Sequence, residues 1–182
     1  MSKIVFTFGL SAGIIFLTFM FGAIPFRKSG IITFENGEII GYVLMVIAFS
    51  MVFAGIKLHR DRNLEGLITF GEALKVGLLI TLIASIGYAV AWEFYLKFAA
   101  RDFMDEYTAF RLQKAVNSGV NDAGIRSLWD EMEQIKELYK NPLLRFGMTL
   151  TEILPVGILI SLISSVLLKK NELIINKPIV HE

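Results

Sequence analysis

The sequence predicts an all-α fold: an integral membrane four-helix bundle with an extramembrane αα-hairpin between spans three and four. Three observations lead there. The 182 residues are 54% hydrophobic and 19% charged, with mean hydropathy +0.60, whereas soluble domains carry about 25% charge. The apolar residues fall in four blocks, each close to the roughly 20 residues a helix needs to cross the hydrocarbon. A polar segment with helical periodicity separates the last two blocks.

The first block, residues 4–26, is too long for a signal-peptide core and lacks a small-x-small cleavage site before a soluble chain. It is expected to remain as an uncleaved span. Residues 27–38, RKSGIITFENGE, carry the turn signal Asn36-Gly37. IITF and EII can flank a small hairpin there, or Glu38 can open the first turn of span two. Span two covers residues 39–56, with Tyr42 near its start as an interfacial anchor. The loop 57–69, KLHRDRNLEGLIT, is basic and polar. Span three covers residues 70–92 and ends in Trp92, Phe94 and Tyr95. Trp and Tyr favour the headgroup level, so Trp92, Tyr95 and Tyr42 mark one membrane face if the spans alternate.

Residues 93–148 read as the extramembrane hairpin. Phe103, Tyr107 and Phe110 share one side of its first helix, which ends near Gly119. Ile125, Leu128, Trp129, Met132, Ile135, Leu138 and Tyr139 recur at helical spacing in the second. Asn121 or Asp122 caps its start and Asn141-Pro142 ends it. Glu93 can pair with Lys97 four residues on, and Arg145 with Glu93 or Glu152. Span four covers residues 150–168 and stops at Lys169 and Lys170. The whole chain, 1–182, is then one membrane domain.

Residues 69–86, TFGEALKVGLLITLIASI, align without gaps on 149–166, TLTEILPVGILISLISSV, with ten of eighteen positions identical. Duplication is the preferred origin, with convergence on one helix-start design as the alternative. With alternating spans the copies run in opposite directions, an inverted pair related by an axis in the membrane plane. Both open on Thr-x-x-Glu, the capping-box spacing, so Thr69 with Glu72 and Thr149 with Glu152 are read as helix caps. Thr151 is an alternative cap, and Pro155 would then lie near a first turn. Gly77, Thr81, Ser85 and Ala89 step by four along span three, and Gly157, Ser161 and Ser165 along span four. Gly9-x-x-x-Gly13 does the same in span one. Such stripes let helix backbones approach closely, so spans three and four are expected to face each other through them.

Residues 4–26, 39–56, 76–92 and 153–168 contain no Asp, Glu, Lys, Arg or His. Proton relays need ionisable groups at depth, which weakens a coupled-transporter reading. There is no cysteine, so disulfides and thiolate chemistry are excluded. His59 and His181 have no ligand spacing around them, so no cofactor or metal and no catalytic residue is assigned. A net charge of +1 carries no case for nucleic acid.

Several of these segments also carry a resemblance. GYVLMVIAFSMVFAGIKLHRDRN with GLITFGEALKVGLLITLIAS, the hairpin's EMEQIKELYKNPL, and LPVGILISLISSVLLKK resemble a family of small bacterial membrane proteins catalogued as a domain of unknown function. The likeness runs from about Gly41 to Lys170. It implies a four-span inner-membrane protein and brings no activity or catalytic residue. The basic cluster Lys57, Arg60 and Arg62, with Lys3, Lys169, Lys170 and Lys177, favours cytoplasmic termini. The basic residues of the hairpin, interleaved with acids, pull the other way.

The expected partners are the bilayer, a protein bound through the hairpin, and a second copy of the chain. The expected role is structural or interactive rather than enzymatic. The alternative is an oligomeric transporter or channel component built on the inverted pair.

Overall fold

The computed structural model describes residues 1–170. Lys177 and His181 lie outside that range. The chain forms α1 (Ser2–Gly22), α2 (Ile24–Lys28), α3 (Phe34–Asn63), α4 (Phe70–Phe98), α5 (Phe103–Asn117), α6 (Asp122–Lys140) and α7 (Pro142–Leu168). Pro25 sits in the first turn of α2 and has no N–H to continue the ladder, so α1 and α2 form one span with a break at Ala23. With α3, α4 and α7 this makes four helices long and apolar enough to cross a membrane. The protein is an all-α multi-pass membrane bundle.

The 30 residues of α3 extend about 45 Å at the helical rise, against a hydrocarbon core of about 30 Å. The helices therefore overrun the bilayer, and their ends stand in the interface and water. Around the bundle the order is α1, α4, α7, α3, with α3 closing back on α1 and also touching α4. Phe49, Val52, Ile56, Val76, Ile80 and Ile153 are almost wholly buried between the helices. Ile14, Val46, Leu159 and Leu167 point outward and stay exposed. An apolar exterior is what lipid-facing helices carry, because lipid tails solvate it.

Three sequence expectations change. Thr149 is not a cap. It lies inside α7, and its hydroxyl donates to the carbonyl of Arg145 at 3.0 Å. Asn141 caps the helix instead, its Oδ1 accepting from the N–H groups of Leu143 at 2.9 Å and Leu144 at 3.4 Å. Pro142 occupies the first helical position, where a missing N–H costs nothing. Asn141-Pro142 thus starts a helix as well as ending α6. Glu152 is an exposed residue in the third turn, and Pro155 is an interior proline.

The hairpin is also narrower than 93–148. Residues 93–98 continue α4 and residues 142–148 open α7, so the separate helices are α5 and α6 alone. Finally, the Asn36-Gly37 turn signal belongs to a helix start. Thr33 and Asn36 form a reciprocal capping box: Asn36 Oδ1 accepts from the Thr33 N–H at 2.8 Å and Thr33 Oγ1 from the Asn36 N–H at 3.4 Å. Two backbone donors are satisfied before α3 enters the membrane. Glu38 is therefore helical, but in the second turn of α3 and not its first.

Candidate functional site

Two places gather polar side chains: the α4–α7 seam and the base of the hairpin. In the seam, Thr81 Oγ1 lies 2.9 Å from Ser161 Oγ and 3.2 Å from the carbonyl oxygen of Gly157. Ser161 donates to that same carbonyl at 2.8 Å, and Ser165 donates to the Ser161 carbonyl at 2.6 Å. These bonds satisfy hydroxyls that no water reaches. Ser85 Oγ is buried with no hydrogen-bond partner among the described residues.

The glycines set the spacing of the seam. A Cβ on Gly77 would sit 3.1 Å from Ser161 Cβ, and one on Gly157 would strike Thr81 and come within 2.8 Å of the Phe49 ring. Exchanging the two aligned segments turns the Gly77–Ser161 contact into the Gly157–Thr81 contact. The Thr81–Ser161 pair maps onto itself. The helices therefore cross antiparallel about a local two-fold at that pair. The opposite face of α4 takes α1 by the same device: Gly9 packs on Ile83 and Gly13 on Gly87.

The second place is built from six elements, α2 to α7. The break at Ala23 turns α2 so that Arg27 reaches α4, where its Nη1 donates to Tyr95 Oη at 3.1 Å. Its guanidinium stands 5.1 Å from the Phe34 ring centroid and 5.8 Å from that of Phe103, with Glu106 at 3.9 Å. Phe34 in turn touches Phe103, Tyr107 and Phe110. The aromatic stripe of α5 is thus seated on the start of α3 and the end of α4. Each such aromatic pair adds about 1 kcal/mol beyond area burial.

From the other side, Arg145 near the start of α7 binds Glu93 on α4 in a two-pronged pair, with Nε 2.7 Å from Oε1 and Nη2 on Oε2. Its Nη1 donates to the Tyr139 carbonyl oxygen at 2.7 Å. All three guanidinium nitrogens are engaged, and the pair is mostly buried. Such forked charge-assisted bonds fix orientation as well as energy. Of the pairings open in the sequence, Arg145 takes Glu93, while Lys97 stands over the Phe98 ring instead.

Trp92 Nε1 donates to Tyr139 Oη at 2.9 Å. Burial pushes the Tyr139 phenol above its ordinary pKa, with the Trp92 bond acting in the opposite direction. Lys136 on α6 meets Asp105 on α5 at 2.5 Å, and that bond holds its ammonium pKa up. The hairpin is tied to the bundle and to itself.

At the opposite end the loop between α3 and α4 closes on α7. Ile68 and Lys170 exchange backbone bonds of 3.0 and 2.9 Å. Thr69 caps α4, accepting from the Glu72 N–H at 3.3 Å. The Glu72 carboxylate lies 3.9 Å from His59 Nε2.

The sequence reading missed the Thr33–Asn36 box, the Asn141 cap and the anchoring of Arg27. Thr-x-x-Asn and Asn-Pro were visible signals for the first two. Arg27 carried none, because its partners come from three distant segments. Among the described residues, no group of three or more His, Asp or Glu side chains converges as metal ligands.

No curated protein and no solved structure matches this sequence. A family model does match, over residues 7–170, which takes in all four spans and the hairpin. The chain therefore belongs to the family described as "Protein of unknown function (DUF4199)".

Proposed function

We propose that the protein is a structural or interaction component of a bacterial inner membrane, and that the docked hairpin presents a binding face to a protein partner. One observation carries this reading. The hairpin is held on the bundle by Arg145–Glu93, Trp92–Tyr139 and the Arg27 aromatic cluster, yet it leaves Val116 and Val120 exposed at its far turn and Trp129 exposed two turns along α6. A rigid mount with exposed apolar side chains suits presentation to a partner. Aromatic residues of that kind anchor protein interfaces.

In this reading the termini are cytoplasmic. Lys57, Arg60, Arg62, Lys169 and Lys170 lie together at the end away from the hairpin, and the positive-inside rule favours that end for the cytoplasm. The local two-fold between α4 and α7, together with ten identities in eighteen, supports descent from one duplicated helix.

In-membrane crosslinking of the intact protein tests the partner. Trp129→Glu with Val116→Glu should abolish one specific crosslinked protein while leaving helicity and Trp92 fluorescence unchanged. An identical crosslink pattern would sink the proposal.

The inverted α4–α7 pair favours a second reading, an oligomeric transporter or channel component. It requires an oligomer, since Thr81, Ser161 and Ser165 are closed inside one bundle. A detergent-stable monomer with no liposome flux would end it.

A further inference from the structure

A cleft of about 730 Å³ opens where the hairpin meets the bundle, between the end of α4, the start of α5, the end of α6 and the start of α7. Its lining includes the apolar Phe94, Leu96, Phe103 and Met104. Five cations also line it, Lys97, Arg101, Lys136, Lys140 and Arg145, against two acids, Glu93 and Asp105. Both acids are taken, by Arg145 and Lys136. Lys140 is held by Glu137. Lys97 and Arg101 have no carboxylate within ion-pair distance among the described residues. Two uncompensated cations therefore face a partly apolar cleft.

The height of the cleft narrows what it can take. It starts at the level of Trp92 and Tyr95, the residue types that settle at headgroup level. Phe94, one of its lining residues, heads an exposed apolar row on α4: Phe94, Val90, Ile86 and Leu82, each one helical turn further into the membrane and each about half exposed. An occupant with a negative head and long hydrocarbon tails matches both parts. We propose that this cleft binds the headgroup of an anionic phospholipid, with Lys97 and Arg101 on its phosphate and its tails along the Phe94–Leu82 row. A soluble anion would use the cations and leave the row empty. A zwitterionic lipid would cover the row, but its headgroup ammonium offsets the phosphate charge and weakens the match to two cations.

Native mass spectrometry of delipidated, detergent-purified protein tests this, with phosphatidylglycerol and phosphatidylcholine titrated separately. The wild type should bind phosphatidylglycerol first. Lys97→Gln with Arg101→Gln should weaken that binding about fivefold for each cation removed and weaken phosphatidylcholine binding less, because the choline ammonium already offsets the pull on its phosphate. Met104→Trp, which keeps every charge but puts a bulky ring into the cleft lining, should weaken it as well. Lys169→Gln with Lys170→Gln, at the far end, should have no effect. Circular dichroism checks that each variant keeps its helicity.

Equal binding of the two lipids would overturn the proposal, as would an unchanged double variant. Full binding by Met104→Trp would place the headgroup outside the cleft and also overturn it. So would an equal loss from the far-end variant, which would mean diffuse attraction to basic surface. Competition by glycerol phosphate as effective as by the lipid would show a site for free phosphate, not for lipid.

Discussion

Twelve residues separate Thr81 from Glu93 on α4, about 18 Å along the axis, and α7 meets the helix at both places. At Thr81 the contact is dry and small: two hydroxyls, two glycines and a shared carbonyl oxygen. At Glu93 it is large and charged: a forked guanidinium, a tryptophan, a tyrosine, and Phe103 of α5 edge-on to the tryptophan. The difference follows the surroundings. Lipid tails are as apolar as leucine, so burial drives little association at the level of Thr81. Close packing and short hydrogen bonds do the holding there. At the level of Glu93 water is near, and burying aromatic surface stabilises the joint directly. The first contact depends on what is absent from each side chain, the second on what is present.

The largest test of that contrast is Gly157→Leu. Its side chain would drive into Thr81 and Phe49, and overpacking of this kind costs about 3 kcal/mol. Thermal unfolding in detergent should show a large loss, and Gly77→Leu a smaller one, since its neighbours stand at 3.1 Å. If both variants melted like wild type, close approach would not be what holds the seam.

Arg145→Met should come next. It leaves Glu93 mostly buried without its partner, at about 2 kcal/mol, and limited proteolysis should cut near residues 99–102 and 141 sooner. Adding Glu93→Gln should restore part of the loss. No restoration would mean the arginine acts mainly through the Tyr139 carbonyl.

Thr69→Ala removes a true cap and should cost about 1 kcal/mol. Thr149→Ala, at the aligned position, should cost less, because that hydroxyl only donates back to Arg145. Equal losses would restore the capping role to Thr149.

The smallest effect is a pH dependence. The Tyr139 phenol is raised by burial, so the folded state keeps its proton where the unfolded chain would release it. Its contribution is fully present below the ordinary tyrosine pKa near 10 and declines as pH rises through the folded value. Hairpin docking, followed by Trp92 fluorescence, should weaken only in strong alkali, and Tyr139→Phe should flatten that limb. An unaltered limb would assign the loss to another group.

Much of the building plan was legible along the chain. The four spans are set by apolar run length, because a lipid-spanning helix has few alternatives. The hairpin's two helices show in the spacing of Phe103, Tyr107 and Phe110 and of Leu128, Met132 and Ile135. The small-residue stripes mark faces fit for close approach. By contrast, Thr149-x-x-Glu152 misleads, because the same Thr-x-x-Glu spacing caps a helix at 69 and sits inside one at 149. A cap forms only where the backbone has not already begun to coil, and Asn141-Pro142 starts α7 eight residues before Thr149.

The sequence by itself determined the helical type and the number of the spans and the place of the hairpin between the last two, all consequences of local periodicity and the cost of unpaired backbone in lipid. Only the tertiary structure decided which partner Arg145 takes, that Arg27 enters an aromatic cluster drawn from α3 and α5, and that Lys97 and Arg101 line a cleft with no carboxylate partner among the described residues. Those outcomes depend on where four helix ends converge, and no pattern within any one segment encodes that distance.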